Sequence, residues 1–176
     1  MNAQAVIKLL VVDDQPVVRD GLRRIQELEP RLQIVGEADT ELSAVAAAQR
    51  LRPDVILMDI RLPDGDGIEA CRRIKALLPE VHVLFLTSYA DNRFVLASME
   101  AGADGYLLKE SGSQRIVDAI HSLLNGGTNV TNKTNALNFG MTKAMPWYGG
   151  NLTASFNNGR TDTSRSLPRL MSPLPT

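Results

Sequence analysis

The chain has 176 residues and a formal net charge of −1, with 44% hydrophobic and 22% charged residues. These values are close to a soluble globular average and allow one domain with a real core plus an appendage. No apolar run approaches the ~18 residues of a membrane span, and the start MNAQAVIKLLVVDD lacks the basic region and cleavage site of a signal peptide, so a cytoplasmic protein without membrane contact is expected.

The near-neutral total hides an asymmetry. Residues 1–127 carry 14 Lys+Arg against 19 Asp+Glu, and residues 128–176 carry 5 against 1. An acidic front part is a poor nucleic-acid binder, because neutralising phosphates needs clustered Lys and Arg. Cys71 is the only cysteine, which excludes an intrachain disulfide and a thiolate cluster; its place on an apolar helical stripe reads as core.

From residue 6 to residue 125, short β-type runs alternate with helical patterns at the spacing of βα units. The runs are VIKLLVV (6–12), LQIVGE (32–37), DVILMD (54–59), VHVLFLT (81–87) and GYLLK (105–109). VILM and VLFL are apolar without alternation, as in strands covered on both faces by helices. Between them, apolar residues recur at three-and-four spacing: Val18, Leu22, Ile25; Leu42, Val45, Ala46; Ile68, Cys71, Ile74, Leu78; Phe94, Val95, Met99; Ile116, Ile120, Leu123. Pro16 suits a first helical turn and Gly102 the position just past a helix end. The pattern predicts an α/β fold, a five-stranded doubly wound parallel sheet with five helices.

Ligands of such sheets bind outside the carboxyl ends of the strands, where strand order reverses. The residues there are Asp13 and Asp14 after the first run, Asp59 ending the third, Thr87 and Ser88 after the fourth, and Lys109 after the fifth. Three carboxylates at adjoining strand ends raise one another's pKa values unless a cation sits among them. All-oxygen ligation with open positions fits Mg²⁺, which keeps waters and bridges protein to phosphate oxygens. Asp59 can be ligand or nucleophile, since an aspartate forms acyl phosphates. Lys109 supplies a second cation and Thr87 a hydroxyl donor. Singly, any of these residues is as well explained as a cap or solvated loop residue, and Asp14 before Pro16 could cap the first helix; their joint occurrence at four strand ends favours a site.

VVDDQPVVRDGL, VILMDIRLPDGDGIE, LFLTSYAD and AGADGYLLKE closely resemble the response-regulator receiver domains of bacterial two-component systems, over residues 6 to about 127. The wording is nearest the NarL/LuxR-type subfamily, which usually carries a helix-turn-helix DNA-binding domain after the receiver. The resemblance implies a flavodoxin-like fold, with Asp59 as phosphoacceptor, Asp14 a direct Mg²⁺ ligand and Asp13 a ligand through water. It further implies that the Arg61 carbonyl is a ligand, that Thr87 and Lys109 contact the phosphoryl oxygens, and that Tyr106 turns inward on activation. Gly65 and Gly67 match the family's glycines in the loop after the acceptor. Many receivers have Pro after the lysine, where Glu110 stands here; Lys109 is still expected to reach the site.

The implied function is acceptance of a phosphoryl group from a histidine kinase or phosphotransfer protein onto Asp59. A conformational switch at Thr87, Tyr106 and the fourth and fifth helices would follow, and a homodimer is compatible with it. Such a chain catalyses its own phosphorylation and slow dephosphorylation but is not a metabolic enzyme. The alternatives are a phosphorylation-independent interaction module, and a transcriptional regulator whose DNA-binding domain has been lost or replaced. DGDGI (64–68) also resembles the nucleophile motif of haloacid-dehalogenase-like phosphatases, yet it follows Pro63 in a loop rather than ending a strand. His82 and His121 lack a second ligand at metal spacing and read as packed or solvated. The N-x-T tripeptides at Asn129, Asn132 and Asn151 carry no glycosylation meaning in a cytoplasmic chain.

Residues 128–176 depart from the family. They are rich in Asn, Thr, Ser, Gly and Pro and show no helical periodicity long enough for a recognition helix, so no specific DNA binding is expected. Alternation at Leu137, Phe139, Met141 and at Leu152, Ala154, Phe156 predicts a β-hairpin around PWYGG. The stretch faintly resembles strands of outer-membrane efflux channels, as if a rearrangement had replaced the output domain. The expected division is a receiver at 1–127 and a mobile or loosely docked tail at 128–176.

Overall fold

The computed structural model describes residues 5–88, 91–126, 130–131, 137–142 and 153–158. Its order is β1 (Ile7–Val12), α1 (Pro16–Arg23), α2 (Ile25–Leu28), β2 (Leu32–Ala38), α3 (Glu41–Leu51), β3 (Val55–Met58), β4 (Arg61–Leu62) and β5 (Gly65–Asp66). Then follow α4 (Gly67–Leu77), β6 (His82–Thr87), α5 (Asn92–Glu100), β7 (Gly105–Leu108), α6 (Ser113–Leu124), β8 (Val130–Thr131), β9 (Leu137–Thr142) and β10 (Thr153–Asn158).

The five expected strands are β1, β2, β3, β6 and β7, all parallel, in the order β2-β1-β3-β6-β7, with the two-residue β8 added beside β7. Because side chains alternate across a strand, each apolar run serves two cores. Leu10, Val12, Ile56, Met58, Val83 and Phe85 face α3, α4 and α5. Leu9, Val11, Leu57, Leu84 and Leu86 face α1, α2 and α6. The unbroken apolar strands are thus explained by helices on both sides. From β1 the chain moves to one neighbour, β2, and then crosses to the other, β3, so strand order reverses at the carboxyl ends of β1 and β3.

Several expectations need correction. The first helical segment is two helices, since the Arg24 N–H turns back to the Gly21 carbonyl at 3.3 Å. On α3 the stripe is not Leu42, Val45, Ala46: Leu42 is 65% exposed, Ala46 is exposed, and the buried face is Ala44, Val45, Ala47, Ala48. A surface of alanines lets the helix lie close to the sheet, which a register anchored on leucine cannot reveal. Asp14 does not cap α1, where Gln15 holds the N-cap position. A hairpin of β4 and β5, unexpected from sequence, follows Asp59. Gly102 does end α5: its φ of +94° allows Gly102 and Ala103 to donate to Met99 and Ser98, both at 3.0 Å, the paired bonds of a Schellman cap. Cys71 is core as expected.

The expected tail hairpin is present as backbone pairing: β9 and β10 are antiparallel with Phe139 opposite Phe156 and Met141 opposite Ala154. Leu152 and the turn lie outside the described residues. β8 pairs with Gly105–Tyr106, just past the expected boundary at 127. Two residues of edge pairing are a small contact, so a chain ending near Gly127 is expected to melt within about 1 kcal/mol of the full chain. Chemical denaturation of both would check this, and a larger loss would make the tail part of the domain.

At the amino ends of β6 and β7, opposite the candidate site, Asp104 accepts from the Val83 N–H at 2.9 Å and pairs with Lys75 Nζ at 2.7 Å. Lys75 also donates to the Val81 carbonyl at 2.6 Å. Burial pushes the Asp104 carboxyl up, but the nearby His82 ring and the Lys75 ammonium outweigh it and bring it down to about 2. A depressed carboxyl stabilises the fold above its unfolded pKa of ~3.9 and loses that contribution as pH falls from about 4 to about 2. Lys75→Met is expected to cost about 2 kcal/mol at neutral pH by stranding the carboxylate. Its deficit should shrink below about pH 4, and thermal melts across pH would show otherwise if the deficit stayed constant.

Candidate functional site

The carboxyl ends of β1, β3, β6 and β7 deliver the elements of the site. Asp13 follows β1, and its N–H donates to the Ala38 carbonyl at 3.0 Å. Asp59 follows β3, and its N–H donates to the Val12 carbonyl at 2.8 Å. These ladder bonds continue the sheet one residue beyond each strand and set the two aspartates side by side. Asp13 is 2% and Asp59 5% exposed, whereas Asp14 points to solvent. Ligand oxygens of Asp13, Asp14 and Asp59 all lie within 4.8 Å of one another.

Lys109 closes the group. It starts a 3-10 turn over Lys109–Ser111 rather than ending β7, and its Nζ lies 2.6 Å from Asp13 Oδ2 and 2.7 Å from Asp59 Oδ2. With Glu110 in place of the family's proline the chain here needs no cis peptide, and the ammonium reaches the carboxylates as expected. The remaining oxygens are held by the backbone: Asp59 Oδ1 accepts from the Ile60 N–H at 2.7 Å, and Asp13 Oδ1 from the Gln15 N–H at 2.9 Å.

Burial drives the Asp59 pKa up, Lys109 opposes it by hydrogen bond and charge, and the Asp13 charge adds to the rise. For Lys109 burial alone would lower the pKa; its bonds to Asp13 and Asp59 outweigh that and raise it. One ammonium therefore serves two buried carboxylates with a third nearby, a set with excess negative charge. Such an all-oxygen set, open on the Asp14 side, fits a hard divalent cation.

Thr87 is fully buried at the end of β6. Tyr106, on β7 opposite Phe85, is 4% exposed, so its ring already lies inward. Its hydroxyl is pushed up to about 12 by burial and by the charges of Asp91 and Asp59. Arg61 lies on β4, its side chain exposed. The structure thus brings Asp13, Asp14, Asp59 and Lys109 into one cluster, with Thr87 and Tyr106 on the adjoining strands and Arg61 in the hairpin behind.

The other signals have structural duties. Asp64 accepts from the Glu41 and Leu42 N–H groups at 2.6 and 3.3 Å, capping α3 from outside. Asp66 is the N-cap of α4 through Ile68 N–H at 2.8 Å. Asp66 closes the two-residue β5 of the small hairpin and Asp64 lies in its turn, so neither carboxylate of DGDGI ends a strand of the parallel sheet, as a phosphatase nucleophile would. His121 Nε2 lies 3.0 Å from Glu29, and His82 faces Asp104 at 3.5 Å.

Two further residues shape the site: Gly67, noted in the sequence only as matching a family glycine, and Arg19, which sequence reasoning missed. Gly67 N–H donates to the Ile60 carbonyl at 2.7 Å, and a Cβ at Gly67 would overlap the Asp59 carbonyl oxygen. Arg19 Nη1 donates to the Asp13 carbonyl at 2.6 Å. The first leaves a trace in sequence, a glycine opening a helix; the second leaves none, since nothing distinguishes Arg19 from other helix-surface arginines.

Comparison with known proteins agrees with this geometry. Residues 9–121 match the response regulator receiver domain family. The transcriptional regulatory protein LnrK of Bacillus subtilis is 38% identical over 122 residues, 69% of this chain and 56% of that protein. The DNA-binding transcriptional activator DevR/DosR of Mycobacterium tuberculosis is 37% identical over 131 residues, 74% of this chain and 60% of that protein. This chain thus spans rather more than half the length of these relatives. Among solved structures, a LuxR-family two-component response regulator from Aurantimonas superposes with a TM-score of 0.68 at 35% identity, covering 72% of this chain and 90% of that one. The receiver domain of a response regulator NarL from Mycobacterium tuberculosis gives 0.63 at 27%, covering 70% and 98%. The family match ends at residue 121 and lends no support to the efflux-channel resemblance of the tail. From residue 9 to residue 121, this chain is a member of the receiver-domain family of two-component response regulators.

Proposed function

We propose that Asp59 accepts a phosphoryl group from a histidine kinase or phosphotransfer protein in a Mg²⁺-dependent reaction, and that the aspartyl phosphate signals through Thr87, Lys109 and Tyr106. The observation that carries this reading is the placement of Asp59: buried, raised in pKa, and joined to Asp13 through one ammonium. A carboxylate so placed is partly desolvated and still has a cation at hand for the oxygens it will receive.

Asp13, Asp14, Asp59 and the Arg61 carbonyl would hold the ion, which would draw charge from the phosphoryl oxygens. In the transfer an Asp59 oxygen attacks phosphorus, the bond to the donor nitrogen breaks, and the donor imidazole leaves with its electron pair. Lys109 exchanges its bond to Asp59 for one to a phosphoryl oxygen while keeping Asp13. The hydroxyl of Thr87 donates to another oxygen. The new group carries roughly −1.5 to −2 charge and three acceptor oxygens, which favours the arrangement with both residues drawn toward it. Hydrolysis of the acyl phosphate resets the site, so the chain acts on itself and on no metabolite.

The named relatives include transcriptional regulators. Among the described residues, those after Leu124 form strands rather than helices, so reading DNA with a helix is not part of the proposal. The placement of the site within a soluble-type fold suits the cytoplasm, and among the described residues no helix is long and apolar enough to cross a membrane.

Incubation with acetyl phosphate and Mg²⁺ followed by intact-mass measurement tests the reading. A gain of one phosphoryl group, lost when the metal is chelated, is expected. Equal labelling in excess chelator would remove the metal from the mechanism.

A further inference from the structure

The peptide joining Asp13 to Asp14 links a buried carboxylate to an exposed one, and the two can share an ion only if that peptide keeps its orientation. A peptide unit is planar, so fixing its carbonyl fixes the plane from which both residues depart. One side chain does this. Arg19, in the second turn of α1, donates from Nη1 to the Asp13 carbonyl at 2.6 Å and from Nε to Glu37 Oε2 at 3.1 Å. Glu37 stands beside Val11 in the β1–β2 pair and also accepts from Arg23 Nη2 at 2.7 Å and Nε at 3.0 Å. Arg23 is held in turn by Asp20 at 2.8 Å. The guanidinium is thus anchored on β2 at one edge and grips the aspartate pair with the other, which its rigid fork permits.

We propose that Arg19, braced by Glu37, is a positioning residue for the divalent-cation site, holding the Asp13–Asp14 peptide so that both carboxylates converge on one ion. This rests on the reading that the carboxylate cluster binds Mg²⁺. It is set apart from a simple charge effect by sign. A cation near a metal site repels the metal, so removing Arg19 should tighten Mg²⁺ binding if charge alone matters. If position matters more, removal should weaken it, as loss of groups that orient metal ligands does.

The test is calorimetric titration of Mg²⁺ into the full chain and two variants, with thermal melts in chelator alongside. Arg19→Met is expected to bind Mg²⁺ about tenfold more weakly. Arg19→Lys keeps the charge but not the fork, and is expected to bind about threefold more weakly with an unchanged melting midpoint. Charge alone would leave the lysine variant at parental affinity. Parental or tighter binding by Arg19→Met overturns the proposal while leaving the metal site standing. Should that variant fail to fold, parental affinity in Arg19→Lys overturns it just as well. A parent chain that binds no Mg²⁺ overturns the metal reading and this inference together.

Discussion

Asp59→Asn is expected to gain no phosphoryl group from acetyl phosphate and Mg²⁺, and to melt no lower than the parent chain. The amide is nearly the same size as the carboxylate and can still accept from the Ile60 N–H, which holds Asp59 Oδ1 at 2.7 Å. It cannot act as the nucleophile, since its oxygen carries no full charge and its nitrogen is a donor. The stability half follows from the raised pKa of Asp59, caused first by burial and aided by the Asp13 charge. Neutralising that position removes a desolvation cost and a like-charge repulsion, against which the lost bond to Lys109 must be set, and Lys109 retains Asp13 at 2.6 Å. Intact-mass measurement reads the first effect and a thermal melt the second. Undiminished labelling, mapped to another residue, would take the acceptor role from Asp59.

Gly67→Ala should cost about 3 kcal/mol or more, since the added carbon meets backbone rather than a movable side chain. Beyond the overlap with the Asp59 carbonyl oxygen, that carbon would stand 3.0 Å from the Asp59 carbonyl carbon and 3.1 Å from the Ile60 oxygen. Relief requires the start of α4 to retreat from the strand end that carries Asp59, weakening the Gly67–Ile60 bond and drawing Ile68 and Cys71 from the core. Labelling should slow as well, because the displaced backbone is that of Asp59. Gly65→Ala is the natural control: there the added carbon meets the Glu41 carboxylate, the far end of a side chain that can swing aside. Denaturant midpoints compare the two variants. If Gly67→Ala melts with the parent, Gly67 is not in contact with the end of β3.

The framework of the site was open to sequence reading for a physical reason. Strands such as VILM and VLFL must be buried on both faces, which forces helices onto both sides and leaves strand ends as the natural place for polar groups. Asp13, Asp59, Thr87 and Lys109 then stand out as polar residues where apolar runs stop. Local geometry was less legible. The break at Arg24 and the two residue pairs of the hairpin 61–66 are too short to leave a periodic signature. The buried face of α3 is made of alanines, which a search for large apolar residues passes over. Asp64 and Asp66 looked like chemistry because capping and catalysis favour the same side chains; only their N–H partners on α3 and α4 separate the two. Arg19 stayed hidden because its partners, Asp13 and Glu37, meet it through tertiary placement.

The bond between Lys109 and Asp59 spans 50 positions of the chain, and the Asp13 it also grips lies on the other side of that interval. A chain that had assembled only β1 to β3 would gather carboxylates with no ammonium among them, a repelling group unfit to take phosphate. Chemical competence therefore arrives with the last parallel strands of the set, when β7 docks on β6 and carries Lys109 across. On the proposed reading, a molecule able to take phosphate at Asp59 has therefore already brought β7 into place beside β6.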